Sequence, residues 1–168
     1  MKEKYEQAVV FFNNGKLNEA KNICLEILKD YPDNFDTLKL FGLVLFQSQD
    51  YEKSANLIDK AIKIKPNIAE TYNIYSIILI HLKKYDEAIK SWNSAIKIKP
   101  NYLEAYFNLG NIFFDIEKFN EAIENYKKAI ELKPDYLEAY NNLGNAQRRL
   151  GKFNEAIENY KKAIELKP

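Results

Sequence analysis

The chain has 168 residues, of which 46% are hydrophobic and 14% aromatic, enough to bury a long continuous core. Its 25 basic and 24 acidic residues nearly cancel, which argues against a nucleic-acid or membrane-surface binder, since such proteins carry a basic excess on one face. The single cysteine rules out an internal disulfide, and the sequence has neither an apolar run of roughly 18 residues nor a signal-peptide core, so a cytoplasmic location is predicted.

Prolines divide the chain at a constant interval. They stand at positions 32, 66, 100, 134 and 168, a period of 34 residues without one slip. A fixed period of this size indicates a stack of small units, each of which buries its apolar faces only against its neighbours. The predicted organisation is a single solenoid over residues 1–168, with repeats 1–34, 35–68, 69–102, 103–136 and 137–168.

In chain order, each repeat is predicted to contain a first helix, a short polar turn such as Gly15-Lys16, and a second helix. In repeat 4, apolar side chains recur at three- and four-residue steps through both halves. Each proline ends a second helix, because it lacks an amide hydrogen and restricts the residue before it. The next first helix is predicted to begin at a polar N-cap with an acidic residue three positions later, as in a capping box. These caps are Asp33, Asn67, Asn101 and Asp135.

Small residues recur at fixed places among bulky ones. When each repeat is numbered from 1 to 34, position 8 is alanine, glycine or serine, and positions 20 and 27 are small in nearly every copy. Two helices that cross closely need small side chains at the crossing point. The period, these small positions and the proline at position 32 resemble the tetratricopeptide repeat over the whole chain. Repeats 4 and 5 match best, and repeat 1 departs most, at Lys4, Gln7 and Ile27.

The resemblance implies an all-α fold, a right-handed superhelical solenoid of five 34-residue helix-turn-helix repeats. It also implies that the first helices line a concave groove, into which positions 2, 5, 6, 9, 12 and 13 point. Grooves of this kind bind a peptide or a helix of another protein. The predicted function is therefore a non-catalytic protein–protein interaction module that needs no cofactor.

The groove lining implied by the resemblance is apolar in repeats 1 to 3. An exposed apolar stripe of this length is unusual unless something covers it, which favours an apolar or amphipathic partner segment. Two alternatives stay open: tight winding makes positions 9 and 12 part of the core, or the stripe mediates self-association. The predicted partner-binding residues here are Val9, Phe12, Leu40, Leu43, Phe46, Ile74, Ile77, Ile80 and His81.

In repeats 4 and 5 the implied lining turns polar. Asn108 and Asn142 share position 6, and Asn111 and Asn145 share position 9. An amide side chain both donates and accepts, so it can pair with a peptide group in both directions. The arrangement is similar to the asparagine ladder in the repeat region of O-linked N-acetylglucosamine transferases, which holds extended peptide backbones. The alternative is that these asparagines are only repeat consensus.

The remaining polar residues do not indicate catalysis. Arg148 and Arg149, the only arginines, are predicted either to hold a partner's carboxylate or to keep an exposed end of the array hydrated. His81 and Cys24 lie two repeats apart, too far for a thiol–imidazole pair. Cys24 stands where other repeats carry large side chains, so a buried structural thiol is expected. The sequence contains no glycine-rich phosphate loop and no metal-spaced His/Cys cluster, so neither an enzyme nor a metal site is predicted.

Two further interpretations stay open. The opening repeats, with Gly15–Ala20, look like the repeat regions that precede the transferase domain of some bacterial glycosyltransferases, in which case the chain is a substrate-recruiting arm. The near identity of 120–134 and 154–168 instead suggests an engineered or consensus-derived scaffold. The chain ends at the last position of a repeat without a polar terminal element, so we expect the array to be truncated at the C-terminus.

Overall fold

The computed structural model describes residues 1–167, and every regular element in that range is an α-helix. The helices come in five pairs, one pair to each 34-residue repeat, which confirms the predicted all-α array of helix-turn-helix repeats. In the same range, no helix combines the length and the apolar character needed to cross a membrane. The helices are α1 Lys2–Asn13, α2 Leu17–Asp30, α3 Phe35–Gln47, α4 Tyr51–Ile64, α5 Ala69–His81, α6 Tyr85–Ile98, α7 Leu103–Asp115, α8 Phe119–Leu132, α9 Leu137–Arg149 and α10 Phe153–Glu165.

The helices form two compact units. Unit 1, Met1–Ile98, holds α1 to α6, and unit 2, Lys99–Pro168, holds α7 to α10. The division falls directly after α6, four residues before repeat 4 begins, close to the place where the implied groove lining changes from apolar to polar. The single solenoid over residues 1–168 stays a prediction.

The turn between the two helices of a repeat has one conformation in all five copies. The residue at position 15 has a φ between +59° and +73°, in the left-handed region. In repeat 3, for example, the amide of Lys83 donates to the carbonyl of Ile80, and the amide of Lys84 donates to the carbonyl of Leu79, both at 2.9 Å. This pair of bonds is a Schellman motif, which closes the end of each first helix. The left-handed residues are Gly15, Gln49, Lys83, Glu117 and Gly151.

The N-caps predicted after the prolines are wrong by one position. The residues expected there, Asp33, Asn67, Asn101 and Asp135, lie in the turn, and the caps are Asn34, Ile68, Tyr102 and Tyr136. Of these four, only Asn34 caps with its side chain, accepting from the amide of Thr37 at 2.9 Å. The other three caps are apolar or aromatic and at least partly buried. Burial of a large side chain at the entry to the helix therefore takes precedence over side-chain capping.

The small residues lie where the two helices of a repeat cross. A β-carbon added at Gly42 would come within 2.5 Å of the Ile58 side chain, and one added at Gly144 would come within 2.6 Å of the Tyr160 ring. Positions 8 and 24 of a repeat therefore pack directly against each other, and a larger residue at position 8 in these copies requires the opposing side chain to shift. The small residues at position 20 are also fully or almost fully buried: Ala20, Ser54, Ala88, Ala122 and Ala156.

Cys24 occupies this crossing in repeat 1. It is completely buried in one cluster with Ala8 and Ala20, and against Leu40 and Val44 of α3. Burial raises the pKa of its thiol to about 11, so the group is neutral at ordinary pH and weakly nucleophilic. The structure agrees with the expectation of a buried structural thiol.

Candidate functional site

A polar cavity of about 390 Å³ lies in unit 2, between α7, α8 and α9. Three of the four asparagines predicted to bind a partner contribute to its wall. The fourth, Asn108, is partly buried one turn before Asn111 on α7. The cavity is lined by Asn111, Phe114, Asp115, Tyr126, Asn142 and Asn145.

The amides at position 9 are tethered to tyrosines of the second helices. The hydroxyl of Tyr126 donates to Oδ1 of Asn111 at 2.9 Å, and the hydroxyl of Tyr160 donates to Oδ1 of Asn145 at 2.9 Å. The same bond therefore recurs in repeats 4 and 5. Because each tyrosine fixes the oxygen of its amide, the NH2 group of that amide is held in a defined orientation.

A bond between repeats completes the arrangement. Nδ2 of Asn142 donates to Oδ1 of Asn111 at 3.0 Å. A carbonyl oxygen has two lone pairs, and Tyr126 and Asn142 occupy both of those on Asn111. A ligand at this asparagine must therefore supply an acceptor, such as a peptide carbonyl, to the Asn111 NH2 group.

The other three residues of the cavity wall are a tyrosine, an aspartate and a phenylalanine. Burial raises the pKa of the Tyr126 phenol far above its ordinary value, and the charge of Asp115 acts in the same direction, so Tyr126 remains a neutral donor. Asp115 is exposed and places a carboxylate at the edge of the cavity. Phe114 packs edge-on against Phe119, with ring centroids 5.4 Å apart. The site thus combines fixed amides, one carboxylate and one aromatic ring.

Sequence reasoning missed the role of the residues at position 24. The indole N–H of Trp92 donates to Oδ1 of Asn73 at 2.8 Å, so repeat 3 also joins a position-24 aromatic to an asparagine of its first helix. The signal was present in the sequence, because Trp92, Tyr126 and Tyr160 are the aromatic residues with a polar hydrogen at position 24. Their partners required coordinates, since Asn73 stands at position 5 and the other two asparagines stand at position 9.

The two arginines, for which the sequence left two roles open, have different surroundings in the structure. Arg149 bonds Glu117 at 3.1 Å, and its guanidinium lies 4.7 Å from the centroid of the Phe119 ring. It therefore links repeat 5 to repeat 4. Arg148 is exposed. A carboxylate held jointly by both guanidiniums must compete with Glu117, and the role of the two arginines in binding stays a prediction.

The apolar residues predicted for unit 1 are less accessible than expected. Leu40 is only 5% exposed and belongs to the core cluster formed by residues of α1, α2 and α3, so its expected exposure in a groove was wrong. Val9 and Phe12 are partly buried against the same core. This supports the alternative in which residues at positions 9 and 12 serve packing as well. Leu43, Ile77 and Ile80 are also partly buried.

An aromatic group forms where repeats 2 and 3 meet. The imidazole of His81 stacks on the Tyr51 ring with centroids 4.7 Å apart, and the Phe46 ring meets it edge-on at 5.0 Å. Phe46 and Ile74 both pack against the core cluster of Ile58 and Ile78. His81 therefore takes part in the aromatic contact between repeats 2 and 3, and the residue as a whole is still exposed to solvent. Within residues 1–167, no three His, Cys, Asp or Glu side chains are grouped to hold a metal ion.

Family models match most of the chain. The model described as TPR repeat matches residues 78–116 and 110–151, and the tetratricopeptide repeat model matches residues 137–168. The chain belongs to the tetratricopeptide repeat family. A further match, over residues 13–95, is to the model described as anaphase-promoting complex, cyclosome, subunit 3. The tetratricopeptide repeat serves as a protein-interaction module, which agrees with the coarse function predicted from the sequence.

Solved tetratricopeptide repeat structures match almost the entire fold. A crystal structure of MamA is 26% identical, with a TM-score of 0.90, over 95% of this chain and 93% of that one. MamA 41-end from Desulfovibrio magneticus RS-1 is 24% identical, with a TM-score of 0.90, over 98% and 93%. YrrB, described as a TPR protein with an unusual peptide-binding site, is 19% identical, with a TM-score of 0.84, over 98% and 85%. The comparison with curated proteins gave no match.

Proposed function

We propose that this chain binds an extended peptide segment of another protein at the polar cavity of unit 2. The observation that carries the proposal is the repeated tether of Tyr126 to Asn111 and of Tyr160 to Asn145. Side chains that are already fixed lose less conformational entropy when a ligand binds. The amide NH2 groups are the donors that the carbonyls of an extended backbone need.

The charge and shape of the cavity favour particular peptides. Asp115 favours a ligand that brings an N–H or a cationic side chain, and Phe114 offers a ring against which an apolar side chain packs. The volume of about 390 Å³ accommodates a few residues of a peptide rather than a folded domain. YrrB, whose description includes a peptide-binding site, shares the fold, and this likeness supports the proposal.

The other predictions for the chain stay predictions. These are the binding of an apolar or helical segment at Leu43, Phe46, Ile77 and Ile80, self-association, a role as the recruiting arm of a transferase, an engineered origin, a cytoplasmic location, the absence of catalysis and the absence of nucleic-acid binding.

The test begins with peptides selected by phage display against the 168-residue chain. The best synthetic peptide is titrated against the unaltered chain, Asn142→Ala, Asn145→Ala and the double variant. Each lost hydrogen bond contributes about 0.5–1.5 kcal/mol, so we expect the double variant to bind about tenfold more weakly or worse. Asn120→Ala, an exposed asparagine in the first turn of α8, serves as the matched control and should bind normally.

A second pair of variants separates the two candidate surfaces. Leu43→Asp and Ile77→Asp alter unit 1 and should leave the affinity of the selected peptide unchanged. If these two variants abolish binding while the asparagine variants do not, the peptide binds in unit 1 and the proposal for unit 2 is wrong. Far-UV circular dichroism of each variant confirms that the helices are retained.

A further inference from the structure

A second cavity, of about 420 Å³, lies in unit 1 between α2, α3 and α4. Its apolar lining comes from all three helices: Leu25 of α2, Phe41 and Leu45 of α3, and Leu57 of α4. Phe41 and Leu45 are buried members of a core cluster, and Leu57 packs against that cluster. Leu25 is 47% exposed. This cavity, which we call the α2–α4 cavity, therefore has a floor of core side chains and one exposed apolar wall.

The α2–α4 cavity lies on a different side of α3 from the residues predicted to line a groove. Phe41 and Leu45 are one turn apart, so they share a face of the helix. Leu43 follows Phe41 by two residues, which places it about 200° away around the helix axis. The cavity also shares no residue with the polar cavity of unit 2. It is therefore a separate candidate site.

Repeats 2 and 3 form a cavity at the equivalent place, between α4, α5 and α6, and its lining is more polar. Repeat positions 7, 19, 22, 23 and 25 contribute to both cavities. At positions 23 and 25, where the α2–α4 cavity has Leu57 and Leu25, this second cavity has Ser91 and Asp59, and its volume is only about 260 Å³. The repeat architecture therefore produces a cavity here without making it apolar.

The apolar residue at position 25 occurs in repeat 1 alone. The other four repeats carry Asp59, Asn93, Lys127 and Lys161 there. One exposed leucine is ordinary on a protein surface, but Leu25 stands beside a floor that is itself apolar. The start of the chain does not explain the opening, because the equivalent cavity of repeats 2 and 3 is preceded by repeat 1 and followed by repeat 4.

The charged residues at the edge of the α2–α4 cavity leave one cation without a counterion. Asp50 accepts from the amide of Lys53 at 3.4 Å, and its other oxygen pairs with the Lys53 ammonium at 2.7 Å. The bond from this ammonium lowers the pKa of the Asp50 carboxyl, and the charge of Lys21 acts in the same direction. Within residues 1–167, Lys21 is exposed and makes no ion pair of its own. An ammonium beside an apolar cavity favours a ligand with a negative charge next to an apolar group.

We propose that the α2–α4 cavity binds a leucine or phenylalanine side chain of a partner peptide that stands next to an acidic residue. The apolar side chain contacts Leu25 and Leu57, and the acidic residue pairs with Lys21. The volume lies in the range of ordinary ligand pockets. The lining follows α4 from Asp50 to Leu57, which is about 10 Å. About three residues of an extended chain span this length, so an elongated peptide fits better than a compact molecule.

Two dyes test the apolar and the charged part of the site separately. Anilinonaphthalene sulfonate has an apolar ring system and a negative charge, and phenylnaphthylamine has the same rings without the charge. Each dye is titrated against the 168-residue chain and followed by its fluorescence. We expect Leu25→Asn to weaken the binding of both dyes about tenfold or more. Lys21→Gln should weaken only the sulfonate, about two- to fivefold.

Matched controls come from exposed residues outside the cavity. Val10→Asn removes an apolar side chain that is 55% exposed, and Lys29→Gln removes an exposed ammonium from the same helix as Lys21. Neither should change the binding of either dye. Leu25→Asn should retain the fold, because asparagine stands at the same position in repeat 3, and its urea midpoint checks this. Leu57→Ser, which copies Ser91, provides a second variant of the cavity.

The class of ligand is tested by displacing the bound sulfonate dye with synthetic peptides. The peptides are GGDLFDGG and GGKLFKGG, each blocked at both ends. We expect the acidic peptide to displace the dye at several-fold lower concentration than the basic one, and to bind about tenfold more weakly to Leu25→Asn. Equal displacement by the two peptides, or displacement that ignores Leu25→Asn, would overturn the proposal.

Three further outcomes assign the cavity, or the dye, differently and also overturn the proposal. Displacement by decanoate but by neither peptide would show that the cavity takes a small carboxylate. A dimer in sedimentation that is lost in Leu25→Asn would show that a second copy covers it. Loss of dye binding in Leu43→Asp but not in Leu25→Asn would place the dye at the predicted groove lining instead.

Discussion

The ring of Tyr126 rests on the α-carbon of Gly110 so closely that a β-carbon there would come within 2.5 Å of two ring carbons. The ring cannot retreat, because it is buried and its hydroxyl is bonded to Asn111. We therefore expect Gly110→Ala to lower the free energy of unfolding by about 1–3 kcal/mol through overpacking. Urea denaturation followed by circular dichroism measures this change.

Repeat 1 provides the control for that prediction. It carries Ala8 and Cys24 at the positions that Gly110 and Tyr126 occupy in repeat 4, so alanine is accepted where the opposing residue is small. In a Tyr126→Cys background, Gly110→Ala should cost nothing or stabilise, because alanine exceeds glycine in helix propensity by about 1 kcal/mol. An equal penalty in both backgrounds would show that the ring is not the cause.

The left-handed residues of the turns predict a stabilising substitution. Lys83 has a φ of +59°, whereas repeats 1 and 5 place Gly15 and Gly151 at the same position. A side chain in this region costs about 1 kcal/mol or more, which glycine avoids. Lys83→Gly should therefore raise the free energy of unfolding by about 0.5–1 kcal/mol.

The converse substitution checks the cause. Gly151→Ala should lower stability by a similar amount, although nothing lies within 4 Å of a β-carbon placed there, because only the backbone conformation is penalised. Both variants are compared by their urea midpoints. A gain of stability in Lys83→Gly together with a loss in Gly151→Ala supports the interpretation. A loss of stability in Lys83→Gly contradicts it.

A buried hydroxyl group predicts a second substitution that increases stability. Thr71 is completely buried, and its Oγ1 has no hydrogen-bond partner among the described residues. A buried polar group without a partner costs about 1–3 kcal/mol. Thr71→Val keeps the shape of the side chain and removes this cost, so a gain of about 1 kcal/mol is expected in thermal or urea unfolding.

Repeats 4 and 5 suggest the matched variant, because Ala105 and Ala139 stand at the same position. Thr71→Ala also removes the hydroxyl but loses a buried methyl group, so it should fall below Thr71→Val in stability. Should Thr71→Val instead destabilise the chain, the hydroxyl has a partner in solution.

Stability should fall at alkaline pH. Burial raises the pKa of Cys24 to about 11 from an ordinary value near 9. Between these values the unfolded chain has lost a proton that the folded chain keeps, so the free energy of unfolding decreases as the pH rises from about 9 to 11. Burial also raises the pKa of Tyr126, which extends the decline to higher pH.

The Cys24→Ala variant shows how much of the loss of stability at alkaline pH comes from the thiol. Urea midpoints of the two chains are compared at several pH values between about 7 and 11. The variant should show a shallower decline in the range in which the unfolded thiol ionises. If the urea midpoints of the two chains decline in parallel with pH, Cys24 is not the cause of the loss of stability.

Most of the fold was predictable from the sequence, because the same pattern of proline and small residues recurs in all five repeats. The prolines mark the repeat boundaries, and the small residue at position 8 marks the helix crossing. The N-caps were misplaced, since Asn67 and Asn101 are good caps in isolation but Ile68 and Tyr102 are buried at the helix entry. A local preference of about 1 kcal/mol lost to the burial of a large side chain.

The candidate site was predictable only in part. Position numbers placed Asn111, Asn142 and Asn145 on one surface, but the hydroxyl bonds that orient two of them involve the second helices. Leu40 was expected in the groove because it is apolar and lies on a first helix, yet it is buried in a core cluster with residues of α1 and α2. Which apolar side chains stay accessible depends on the packing between repeats, and a position number does not contain that information.

The bond from Trp92 to Asn73 has a practical consequence for spectroscopy. Trp92 is the only tryptophan in the chain, it is buried, and it lies in unit 1. Its fluorescence therefore records the loss of structure around repeat 3, whereas ellipticity averages over all ten helices. Recording both signals during one denaturation shows whether the two halves of the molecule melt as a single cooperative block or in succession.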